Sequence, residues 1–188
     1  MFQKLNTDTP VGTIYTQTLD YYGSVLQYMT AIEEMAEVEQ LMSKVFRYPN
    51  LLESPPEGAG SHSDFVEELF GEVGDAINMI EQVMFLHGSL DMAQDLMDQG
   101  HTDYANFHHI AAETVRRISQ LKIELAGAIT MIECGMNCGV DGSELTVYSG
   151  DVLRMFRDLM EHLDYPEEKL AEKRIQKLDR ILKRMERD

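Results

Sequence analysis

Apolar residues recur three and four positions apart along most of the chain, with polar residues filling the positions between, which is the rhythm of amphipathic helices. Set against its breakers, that rhythm predicts helices near 13–47, 64–87, 90–98, 103–137, 144–164 and 166–187. Turns are expected at Gly88, at Gln99-Gly100, from Gly139 to Ser143 and at Tyr165-Pro166, where glycine and proline interrupt the pattern. No segment alternates apolar and polar residues over the length of a strand, so the expected fold is all-α, a helical bundle. Residues 48–63 are rich in proline and glycine and read as a long loop, of the kind used as a lid or a surface segment. Asp64, just beyond it, is expected to cap the second helix.

Two of the helical runs carry acids in an unusual place. Ala31-Ile-Glu-Glu-Met-Ala-Glu-Val38 contains Glu34 and Glu37, and Phe70-Gly-Glu-Val-Gly-Asp-Ala-Ile77 contains Glu72 and Asp75. Residues three apart share a helix face, so each pair sets two like charges side by side at a cost of about 0.2–0.5 kcal/mol. Solvated glutamates on an ordinary helix would need a broad polar face. Tyr28, Ile32, Met35, Val38, Leu41 and Val45 around the first pair leave little room for one, and Phe65, Leu69, Phe70, Val73, Ile77 and Ile80 crowd the second in the same way. Partly buried like charges need a cation or a proton. A hard divalent ion with oxygen ligands, Mg²⁺ or Mn²⁺, is the natural candidate.

These residues also carry a resemblance. The stretch from Tyr22 to Lys44, followed by Glu67-Glu68 and Glu72-Val-Gly-Asp75, resembles the MazG-like superfamily of all-α nucleoside triphosphate pyrophosphohydrolases over roughly residues 21–87. That family is marked by E-x-x-E on one helix and E-x-x-D on the next; the doubled Glu33-Glu34, Gln27 upstream and Lys44 downstream strengthen the likeness. The resemblance implies an all-α bundle of that family's type, with Glu34, Glu37, Glu72 and Asp75 as Mg²⁺ ligands and Mn²⁺ as a substitute. It implies Glu33 or Glu37 as the catalytic base, and Gln27, Lys44 and Asn78 as substrate contacts. The implied reaction is hydrolysis of a nucleoside triphosphate to monophosphate and pyrophosphate. Relatives include dimeric dUTPases, so dUTP or a modified nucleotide is among the implied substrates and a homodimer among the implied forms. The chain departs from the pattern in its spacing: 34 residues separate Glu37 from Glu72, and the excess falls between Arg47 and Ser63.

Composition narrows the partners. With 33 acidic against 16 basic residues the formal charge is −17, which disfavours a nucleic-acid backbone as ligand. A free nucleotide remains compatible, because a bound cation inverts the local sign of an acidic pocket. The sequence contains neither an apolar run of membrane-spanning length nor a basic and apolar leader at its start, so a soluble cytoplasmic protein without a membrane partner is expected. Cys134 and Cys138 do not make a disulfide framework. Pairing them with His108 or His109 around a soft metal falls short of zinc's usual four well-spaced ligands.

The second half echoes the first. Placing Glu124 over Glu34 and Asp151 over Asp75 puts Gly127 in place of Glu37 and Tyr148 in place of Glu72. Residues 1–99 are thus expected to form a half carrying the metal site, and 100–188 a second helical half packed on it. That half is either a degenerate copy, making the chain an internal pseudo-dimer, or a chance likeness between two amphipathic helix pairs. The last predicted helix holds eight of the sixteen basic residues, with Leu170, Leu178, Ile181, Leu182 and Met185 as its apolar stripe. It reads as a salt-bridged amphipathic helix rather than as a set of cations folded over phosphates. A di-iron carboxylate bundle is disfavoured because no Glu is followed three positions later by His. A catalytically silent helical interaction protein remains the alternative to an enzyme.

Overall fold

The structure, a computed structural model, describes residues 10–48, 61–99, 104–135 and 142–187. Within them run six helices: α1 (Val11–Arg47), α2 (His62–Leu86), α3 (Leu90–Asp98), α4 (Phe107–Glu133), α5 (Gly142–His162) and α6 (Glu167–Met185). There is no strand among the described residues, so the all-α bundle is realised. Most of the loop expected at 48–63 lies outside the described residues.

Helix ends follow side-chain chemistry that periodicity alone does not show. Ser61, not Asp64, caps α2: its hydroxyl accepts from the Asp64 amide at 3.1 Å, while Asp64 Oδ2 accepts from the Ser61 amide at 2.8 Å. Asp64 therefore sits in the first turn as the reciprocal half of a capping box, where its charge also meets the positive end of the helix. Similarly α4 is shorter than the expected 103–137. The Asn106 side chain accepts from the His109 amide at 3.1 Å and starts the helix there. At the other end Gly135 takes a φ of 65°, a left-handed stop that glycine accommodates without steric cost.

α1 is broken at Gly23, whose φ of 76° and ψ of 164° leave the helical region. Beyond the break, α1 and α2 run antiparallel and bury Ala31, Met35, Val38 and Met42 against Leu69, Phe70, Val73 and Ile77. α4 packs on α1 and α5, and α3 packs on α5. That last contact depends on Gly150, because a Cβ there would stand 2.7 Å from Leu96 Cβ and 3.0 Å from the Ala93 carbonyl oxygen. One main core collects side chains from all six helices, so the described parts of the two expected halves pack on a common interior. Each fully buried large side chain, such as Phe70 or Phe156, contributes about 1.5–3 kcal/mol.

α6 lies across α2 and the N-terminal part of α1. Leu178 packs with Ile14 and Tyr15 in a small separate cluster. Beneath it, Arg174 donates to Asn78 Oδ1 at 2.9 Å and to Glu81 Oε2 at 2.5 Å, Asn78 donates back to the Arg174 carbonyl at 3.0 Å, and Tyr15 donates to Glu81 at 3.0 Å. Burial first, and then the Glu81 charge, hold the Tyr15 hydroxyl well above its ordinary pKa. Removing one member of such a buried charged network costs about 3–5 kcal/mol, which fixes α6 firmly on α2.

Candidate metal centre

The antiparallel pairing of α1 and α2 turns two separate like-charged pairs into one cluster. Glu34 and Glu37 occupy one face of α1, Glu72 and Asp75 one face of α2, and opposite chain directions bring Glu34 level with Asp75 and Glu37 level with Glu72. One carboxylate oxygen each from Glu34, Glu72 and Asp75 lie within 4.8 Å of one another. Oxygens sharing an ion at a bond length of about 2.1 Å stand roughly 3–4 Å apart, so small side-chain rotations close the set. Glu37 joins by a hydrogen bond with Glu72. The donor set is all carboxylate and comes from two rigid helices, which fits Mg²⁺ or Mn²⁺ rather than a soft metal.

The electrostatics reflect crowding of negative charge. The Glu72 carboxyl is pushed up to about 7, first by burial and then by its hydrogen bond with Glu37 and the charges of Glu37, Asp75 and Glu34. When protonated it donates to Glu37. Burial likewise raises Glu34, against the pull of Lys177. Lys177, on α6, donates to Glu34 Oε1 at 2.8 Å and to Asp75 Oδ2 at 2.6 Å, and Arg180 Nη2 stands 3.7 Å from the same Asp75 oxygen. Burial alone would lower the Lys177 ammonium pKa, but hydrogen bonds to Asp75 and Glu34 outweigh it and raise the group.

The other residues singled out in the sequence lie around this cluster. Gln27 is buried seven positions before Glu34 on the same face of α1. Glu33 is exposed, a rotation of about 100° from Glu34. Lys44 reaches both carboxylate oxygens of Glu68 at 3.2 Å, and the Asn78 amide is engaged with Arg174. Lys177 and Arg180 are the residues that sequence reasoning did not assign to the site. Their only signal was a basic stripe at Lys173, Lys177, Arg180 and Arg184, spaced i, i+4, i+7, i+11.

In the second half Asp151 has a different environment. It accepts from Arg117 and, at 2.6 Å, from Arg154, while Glu113 accepts from Arg116 at 2.5 Å and Arg117 at 2.8 Å. Hydrogen bonds from Arg116 first, then Arg117, hold the Glu113 carboxyl down at about 2. Cys134 and His108 stand at opposite ends of α4, about 39 Å apart at 1.5 Å per residue, too far to share a metal. Cys138 lies outside the described residues.

Compared with known protein families, curated proteins and solved structures, the chain matches none. No described helix is long and apolar enough to cross a membrane.

Proposed function

We propose that the protein is a Mg²⁺-dependent nucleotide pyrophosphohydrolase that splits a nucleoside triphosphate, with dUTP or a modified nucleotide among the candidates, into monophosphate and pyrophosphate. The observation that carries this reading is the meeting of Glu34, Glu72 and Asp75, with Glu37 beside them, from the E-x-x-E and E-x-x-D runs of two neighbouring helices. Glu34, Glu37, Glu72 and Asp75 would hold the metal. A bound Mg²⁺ would polarise the phosphate and acidify a water. The chain would supply the rest: Glu37, or the exposed Glu33 beside Glu34, would be the base that takes the proton the water gives up. Lys177 and Arg180 bring positive charge to the same place from α6, where phosphate oxygens would need it.

A screen for pyrophosphate release over standard and modified nucleotides, with Mg²⁺ or Mn²⁺, tests the reading. Turnover that needs the divalent ion and disappears in Asp75→Asn is expected; no turnover with any nucleotide, in a protein that remains folded, would overturn it. The Lys177 bridge favours one second reading, a silent bundle in which the lysine is the permanent counterion and the protein serves as an interaction partner. Failure to bind any divalent ion would select that reading.

A further inference from the structure

The cation that the α1 and α2 acids require is present in the structure, and it is part of the chain. Lys177 bridges Glu34 and Asp75 at 2.8 and 2.6 Å, and these are two of the three residues whose oxygens could meet on one ion. Its ammonium takes up Glu34 Oε1, Asp75 Oδ2 and the space between the two carboxylates, and its positive charge would repel a divalent ion placed there. Loading the site therefore sets the metal against Lys177.

The way it can leave is constrained by its neighbours. Arg174, one turn earlier, is locked to Asn78 and Glu81, and Leu178, the next residue, is buried against Ile14 and Tyr15. The α6 backbone is thus pinned on both sides of Lys177. Only the flexible four-carbon side chain is free to move, and its 19% exposure gives it a way out to solvent. Arg180, 62% exposed and 3.7 Å from Asp75, lies along that way.

We propose that Lys177 is a tethered competitor of the metal: it holds the carboxylates together in the metal-free protein and swings out of the cluster when a divalent ion binds, so that it sets the metal concentration at which the site loads. This rests on the metal-site reading above. Its consequence is that the protein changes little in shape on loading, because a side chain moves and α6 does not.

Mn²⁺ binding without nucleotide, measured by titration calorimetry on the full chain, reads the competition directly. Lys177→Met keeps most of the stem and removes the charge, and should tighten Mn²⁺ at least several-fold; Lys177→Arg keeps the charge and should stay near the wild-type affinity. Amine acylation followed by mass spectrometry gives an independent reading on unaltered protein. Lys177 should label slowly without metal and several-fold faster with saturating Mn²⁺, while Lys44, paired with Glu68 and with none of the clustered acids, should not change. Wild-type protein that binds Mn²⁺ with Lys177→Met binding no more tightly, or with Lys177 labelling unchanged, overturns the competition and leaves the metal site standing. If neither wild type nor Lys177→Met binds Mn²⁺, the metal site itself fails and the competition with it. A Lys177→Met protein that does not fold leaves the labelling result to decide.

Discussion

Two charged centres of this bundle are opposites. Between α1 and α2, four carboxylates face a close lysine and a more distant arginine, and one carboxyl is driven up to about 7. Between α4 and α5, two carboxylates face Arg116, Arg117 and Arg154, and Glu113 is driven down to about 2. The second centre is neutralised with cations to spare and is a structural clamp between helices. The first keeps surplus negative charge even with Lys177 seated, and such a surplus is what makes a site able to take a divalent ion. Buried acids therefore do not define a metal site; the balance of charge around them does.

The largest expected contrast is in catalysis. Glu34→Gln and Asp75→Asn should each lower metal-dependent turnover by at least about a hundredfold with the helical circular dichroism intact, since each removes a proposed ligand. Asp151→Asn, in the arginine-rich centre, should leave turnover within a few-fold. Equal losses at both centres would erase the distinction.

Stabilisation by metal comes next. Saturating Mg²⁺ at about 100 times its dissociation constant should add roughly 2.7 kcal/mol, read as a rise of several degrees in melting temperature, and chelation should reverse it. Asp75→Asn should lose this response and Asp151→Asn should keep it. In the absence of metal the order inverts: Asp151→Asn leaves Arg117 and Arg154 short of a partner and should cost about 1–3 kcal/mol by thermal or urea unfolding. Asp75→Asn gives up the Lys177 bridge but also relieves repulsion, so its metal-free cost should be the smaller of the two.

The smallest effect is the opposite response of the two centres to pH. Glu72 binds its proton more tightly in the folded chain than the ordinary carboxyl value of 4.5, so its contribution makes the metal-free protein less stable as pH rises from about 4.5 through about 7. Glu113, with a folded value near 2, contributes stability that is present above about 4.5 and lost as pH falls toward 2. Melting temperature measured across this range should lose its neutral-side decline in Glu72→Gln and part of its acid-side decline in Glu113→Gln. A decline that survives either substitution would detach it from that carboxyl.

What could be read from the chain divides along physical lines. The helices and the paired acids were legible because both are local: a 3.6-residue rhythm and an i, i+3 spacing lie within one segment. The helix ends were less so, since Ser61 and Asn106 act through single side-chain hydrogen bonds that leave no mark on periodicity. Lys177 was not legible as a site residue at all. It lies 102 positions from Asp75 and 143 from Glu34, and its role exists only once α6 has docked on Arg174 and Leu178. The sequence called for a cation at the paired acids, and the nearest one in the fold came from the helix expected to be a salt-bridged surface element. The pairing of Asp151 with arginines was hidden for the same reason, since Arg117 reaches it from another helix.

The break at Gly23 has its own bearing on how the molecule opens. By ending the regular part of α1 there, it lets residues 11–22 leave the main bundle and grip α6 through Ile14, Tyr15 and Leu178, an interior separate from the principal one. Segments with a small private core exchange their amide hydrogens by local opening rather than by global unfolding. Residues 11–22 should thus open on α6 as their own cooperative unit, with amide protection well below that of Met35 or Ile77. Because Arg174 stays locked to Asn78 and Glu81, that opening would leave α6 seated on α2 and Lys177 in place, while the α1 and α2 pair that bears the carboxylates stayed folded.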